Sequence, residues 1–101
     1  MKRVSELEGS ELDCWIARAE GLKKGQSNWV AYSTKWAVGG PIIEREGIEL
    51  RKDLRHINIA RIGGFEPDLN MPGDTPLIAA MRCYVASKFG EEVDDSETTM
   101  R

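Results

Sequence analysis

The segment GDTPLIAAMRCYVASKFG, Gly73 to Gly90, sets the strongest constraint on the fold. Its interior carries only Arg82 and Lys88 as charges, in a chain where charged residues make up 31%. Asp74 or Thr75 stands where a cap is needed, Pro76 fits a first helical position, and Gly90 fits a stop. The segment therefore predicts a helix over Pro76–Phe89. With successive residues 100° apart, Leu77, Ile78, Met81, Tyr84, Val85 and Phe89 share one broad arc. Ala79, Ala80, Cys83, Ala86 and Ser87 fill the other side, with Arg82 at one edge. A helix with no wet side must be enclosed on most of its perimeter. The bulky arc is the expected core face. The small side is either packed within the monomer, the preferred reading, or an interface with a second copy or another protein. The second reading makes Cys83 and Arg82 candidate partner-contact residues, together with Trp36 and Arg45.

What surrounds this helix is read from the rest of the 101 residues. A chain of this length removes roughly 60–70% of its unfolded surface from water, enough for one thin core, and a single domain over residues 1–93 is expected. Ser10 is placed to cap a first helix over Glu11–Glu20, whose Leu12, Trp15, Ile16 and Ala19 follow helical spacing and which Gly21 ends. Its Cys14, Ala17 and Gly21 form a second small face that suits the small side of the last helix. QSNWVAYS reads as a short strand, because Trp29, Val30 and Tyr32 favour extended backbone. Gly40-Pro41 opens a short middle helix over Pro41–Glu46, with Gly47 as its end and a turn before it.

From Ile48 the apolar period shortens to two, at Ile48/Leu50 and Ile57/Ile59, with a turn near Lys52-Asp53, which predicts a hairpin. Gly63–Asp74 holds three glycines and two prolines and reads as a loop. The acidic EEVDDSETTMR has little to bury, and residues 94–101 are expected to be a disordered tail. The fold class is α+β: a small, mainly antiparallel sheet packed by an N-terminal and a C-terminal helix plus a short middle helix.

Composition excludes several functions. No apolar run approaches the roughly 20 residues of a membrane span, and the basic pair in MKRVSELEGS is followed by no apolar stretch, so neither a membrane nor a secretory route is expected. Two unpatterned cysteines, Cys14 and Cys83, suit a reducing cytoplasm. One histidine and no CxxC leave a zinc site without ligands, and no cofactor or metal is expected. A net charge of -3 argues against an all-over grip on nucleic acid but not against a local basic patch. LRKDLRHINIAR supplies such a patch: Arg51, Lys52, Arg55, His56 and Arg61 are candidate nucleic-acid contacts, and Trp36, Trp29 or Tyr32 are possible stacking groups. Glu44-Arg45-Glu46 gathers charges that do acid–base work only inside a cleft. Gly39-Gly40-Pro41 reads as a turn into a helix rather than a phosphate loop. With no Ser-His-Asp, HExxH or P-loop pattern, no catalytic residue and no enzymatic activity are expected.

Three blocks, LEGSELDCWIARAEGL, WAVGGPIIEREGI and GDTPLIAAMRCYVASKFGEEV, together resemble the NinX-like phage and prophage proteins, from about Val4 to Val93. Their domain is also described as a phage alpha-beta-alpha sandwich. Ser33-Thr34-Lys35-Trp36 stands where relatives tend to carry Ser-Thr-Asp-Trp, and Ile48 to Asp74 contributes nothing to the likeness. The resemblance implies an α+β sandwich of phage or prophage origin and carries over no catalytic residue. The function expected is that of an accessory protein acting through protein–protein contacts in the bacterial host, or alternatively a small nucleic-acid-associated factor using the hairpin over residues 51–61.

Overall fold

The computed structural model describes residues 2–21, 30–63 and 69–93. In chain order the elements are β1 (Lys2–Arg3), a 3-10 turn (Val4–Glu6), α1 (Gly9–Ala19), α2 (Trp36–Glu46), β2 (Glu49–Lys52), β3 (Asn58–Ile62), β4 (Leu69–Gly73), α3 (Pro76–Phe89) and β5 (Glu92–Val93). β2, β3 and β4 form an antiparallel sheet in that order, and β1 pairs antiparallel with β5. The class is α+β, as the sequence predicts.

α3 forms as its sequence dictates. Thr75 is the cap, its Oγ1 accepting from the Ile78 amide at 3.1 Å; Pro76 follows, and the Gly90 amide closes the end on the Ala86 carbonyl. Every residue from Ala79 to Ala86 is buried. The reason is the order of layers: the helix, not the sheet, lies in the middle, with β2–β4 on one side and α1 and α2 on the other.

The small side of α3 faces the sheet. Cys83 Sγ lies 3.6 Å from the Leu69 carbonyl oxygen, and Ala79 packs against Gly73; Ala86 shares that face by periodicity. The bulky side meets the other two helices, through Leu77 against Gly39 of α2 and Tyr84 against Ala19 and Glu20 at the end of α1. Fully burying Leu77, Met81 and Val85 contributes about 1.5–3 kcal/mol each. α1 is buried through Leu12, Trp15 and Ile16, while Cys14 and Ala17 are only half-buried, so the expected meeting of two small faces does not occur. Large side chains fill the gap between helices; small ones let a sheet and a helix backbone close on each other.

Several boundaries differ from the sequence reading. α1 begins at Gly9 after Glu8, so Ser10 is an exposed residue inside the first turn and not the cap. α2 begins at Trp36 and contains Pro41. The proline deprives the Ala37 carbonyl of a partner, and Ala37 is exposed to water, which makes the loss tolerable. Gly47, at φ 65°, supplies the left-handed end expected of it. Of the strand expected in QSNWVAYS, residues 26–29 lie outside the described residues. Val30 and Ala31 are not in a strand, and Tyr32 to Thr34 form a turn. There a carboxylate oxygen of the buried Asp13 takes the Ser33 amide at 2.7 Å, and the Lys35 amide bonds the Ala31 carbonyl. That anchor overrides the β propensity of Tyr32.

The hairpin is present, but with another phase. Ala60 and Ile62 point inward, Ile59 lies on the outer face and Ile57 belongs to the turn. The loop expected over Gly63–Asp74 contains β4, whose Leu69, Met71 and Gly73 are buried in alternation with exposed Asn70 and Pro72. Proline is tolerated because β4 is an edge strand, and glycine is required because a Cβ at Gly73 would stand 2.8 Å from the Ala79 Cα. The C-terminal stretch also contributes: Val93 is buried and pairs with Lys2, while the tail expected over 94–101 lies outside the described residues.

Candidate functional site

The sequence-nominated residues fall into three environments. Cys83 and Arg82 belong to the interior. Cys83 is fully buried, and burial pushes its thiol up to about 12. Arg82 is 8% exposed; its Nε donates to the Leu7 carbonyl at 2.7 Å and its Nη1 to the Pro72 carbonyl at 2.9 Å. Neither presents a surface to a partner. A thiol so disfavoured as thiolate reacts slowly, so in native protein a thiol reagent is expected to modify Cys14 and spare Cys83, with both reacting after unfolding. Mass mapping of the labelled peptides checks this.

Arg45 sits in a cluster of ion pairs. Its Nη1 and Nη2 donate to the two Glu20 carboxylate oxygens at 3.1 and 2.6 Å, its Nε donates to Glu46 at 2.9 Å, and its Nη2 also donates to the Tyr84 hydroxyl at 3.0 Å. The Tyr84 hydroxyl in turn donates to Glu20, and the Lys88 ammonium lies 5.7 Å from the Tyr84 ring centroid. The cluster ties together the ends of α1 and α2 and the middle of α3. Glu44 is exposed. Neither Glu20 nor Tyr84 is nominated by sequence; a glutamate just before a helix-ending glycine carries no signal of its partner 25 residues on.

The Arg45 hydrogen bonds hold the Glu20 carboxyl below its ordinary value near 4.5. Burial, then Glu20, pushes the Tyr84 phenol above its ordinary value of 10.0. A depressed carboxyl stabilises the fold above its unfolded pKa, and that contribution is lost as pH falls through the folded value. The expected result is a loss of stability below about pH 4.5 that Glu20→Gln makes shallower. At this partly exposed site the difference is no more than about 1 kcal/mol. Urea midpoints at pH 7 and pH 3 measure it.

The third environment is the surface. Trp36, at the start of α2, is 52% exposed and borders a cleft of about 190 Å³ lined by Ser33, Thr34, Thr75, Leu77 and Ile78. Ser33 Oγ is buried with no hydrogen-bond partner among the described residues.

On the hairpin, Arg51, Lys52, Arg55 and His56 are exposed and Arg61 is half-buried, bonded to Glu49 at 2.7 Å. Asp53, which interrupts the basic run, is committed to the turn: its Oδ1 accepts the Arg55 and Ile57 amides at 2.8 and 3.0 Å. Those bonds, led by the one from Ile57, lower its pKa. His56 adopts φ 66° there. Leu54 stands at the tip, wholly exposed. Arg51, Lys52, Asp53, Leu54, Ile59 and Asn70 line a shallow trough of about 450 Å³.

Among the described residues no group of three or more His, Cys, Asp or Glu could hold a metal ion, and no helix is long and apolar enough to cross a membrane.

These features define a small α+β protein organised around a central helix, with an ion-pair cluster where three helices meet and a set of cations on an open hairpin. The chain belongs to the NinX family of bacteriophage P22: the family model described as "Bacteriophage P22, NinX" matches residues 27–88, more than half of the chain. The match runs through Ile48 to Asp74, which the sequence resemblance left out. It makes this a phage-derived protein. A search of the curated proteins finds no match.

Proposed function

We propose that this is a non-enzymatic phage or prophage accessory protein that works in the host cytoplasm through protein–protein contacts centred on Trp36. The observation that carries this reading is a half-exposed tryptophan at the rim of a cleft. Tryptophan is among the residues that most often dominate binding energy, and the fold makes little use of this one. The non-enzymatic reading is supported by the engagement of Arg45 with Glu20 and Glu46, which leaves two of the three nominated charges, Arg45 and Glu46, in ion pairs.

The expected effect of Trp36→Ala is a stability change under about 1 kcal/mol, with partner affinity weaker by roughly 30-fold, about 2 kcal/mol. Affinity capture from host lysates, with and without nuclease, tests it. A host protein retained by the wild type in both lysates and lost with Trp36→Ala supports the reading. An identical set of captured proteins with both chains overturns it.

A further inference from the structure

The β2–β3 hairpin is built of other residues than the Trp36 cleft and has charge of the opposite sign from the rest of the chain. Residues 49–62 hold four cations, Arg51, Lys52, Arg55 and Arg61, against two carboxylates, Glu49 and Asp53, a net of +2. The whole chain carries -3, which leaves -5 for everything else. Both hairpin carboxylates are engaged, Glu49 by Arg61 and Asp53 by its turn amides. Arg51 and Lys52 form no ion pair among the described residues, and Arg55 reaches Asp53 only at 3.9 Å. The uncommitted positive charge is therefore concentrated on the end of the edge strand β2 and on the turn that follows it, with Leu54 at the tip touching water on all sides.

We propose that this hairpin docks on double-stranded DNA, with Arg51, Lys52 and Arg55 on backbone phosphates and Leu54 wedged at a base step. A polyanion is the partner that charge segregation of this kind selects, since phosphate contacts are made by lysine and arginine and need no sequence code. A duplex fits better than a single strand: single-strand binding leans on aromatic stacking, and no aromatic side chain lines the trough, while phosphate contacts from the turn and the edge strand need only a regular backbone. An apolar residue at a hairpin tip, with Arg55 next to it, Lys52 two positions before it and the intervening Asp53 held by the turn amides, has the chemistry of side chains that unstack a base step and bend the helix. The remaining negative charge limits the footprint to the hairpin.

The test uses the full chain with a labelled 20-base-pair duplex and the matching single strand, followed by fluorescence anisotropy from 50 to 200 mM salt. Three phosphate contacts predict a slope of log K against log salt of about -2 to -3, hence roughly 40-fold weaker binding across that range. The triple variant Arg51→Glu, Lys52→Glu, Arg55→Glu, its fold checked by circular dichroism, is expected to bind at least 10-fold more weakly. Leu54→Ser is expected to keep the salt slope but lose the bend reported by energy transfer between end labels. Trp36→Ala is expected to bind the duplex like wild type, so that a failure here and a failure at the cleft are read separately. No duplex binding at 50 mM salt, binding indifferent to the triple charge reversal, or binding confined to the single strand overturns the proposal. Unchanged bending by Leu54→Ser overturns the wedge.

Discussion

Gly73→Ala is expected to lower the unfolding free energy by about 3 kcal/mol, the upper range for forcing a methyl group into a packed interior. A Cβ at this position would meet the backbone nitrogen of Ala79 and stand 2.8 Å from its Cα and 3.1 Å from its Cβ. None of these atoms is the free end of a flexible side chain, so relief requires the first turn of α3 to move away from β4. That movement opens the closest approach between sheet and helix and strains the Arg82 bond to Pro72. Gly63→Ala is the control: nothing stands within 4 Å of its Cβ position, and its effect is expected to stay within about 0.5 kcal/mol. Urea denaturation of the two variants measures the difference.

Arg82→Ala is expected to be about as damaging, lowering stability by about 3 kcal/mol. Two effects oppose each other. Burial disfavours the guanidinium, whose pKa is lowered chiefly by desolvation, so removing the charge relieves some cost. Against this, the buried Leu7 carbonyl loses its donor, at about 1–3 kcal/mol for a buried group left unmade, and the more exposed Pro72 carbonyl loses a weaker contribution. The packing of the long stem is lost as well. The second set wins, because Leu7 is fully buried and its carbonyl has little access to water. Arg82→Lys is expected to recover less than half of the loss, since one ammonium cannot reproduce the two-pronged reach from the 3-10 turn's exit to β4. The same urea titrations decide the ranking; equal stability of wild type and Arg82→Ala would show that the bridge carries no net weight.

The sequence revealed elements better than it revealed their neighbours. α3 was legible to the residue, because its cap, proline and terminal glycine are local signals that agree with its composition. The hairpin was legible in outline, but its phase was not: Ile57 and Ile59 look like the inward pair until the five-residue turn held by Asp53 shifts the register. β4 reads as a loop in the sequence for a physical reason. Pro72 and Gly73 are turn formers by propensity, and only the edge position of one and the helix contact of the other make them strand residues. In the same way the apolar perimeter of α3 says that it is enclosed but not by what, so the interior is the preferred reading for Cys83 and Arg82 while an interface stays open. Nothing local links Glu20 to Arg45 and Tyr84; that cluster exists only through the packing of three helices.

The position of α3 between two walls bears on how the chain is made. Among the described residues, the sheet on one side and α1 and α2 on the other share little surface except through residues 76–89, and the first strand waits for Val93. A nascent chain leaving the ribosome thus has its greasy N-terminal stripe and its hairpin in hand long before the one segment that joins them emerges. Consolidation waits until residues 76–89 have left the ribosome, and a host chaperone that shields Leu12, Trp15 and Ile16 in the interval stands to raise the yield.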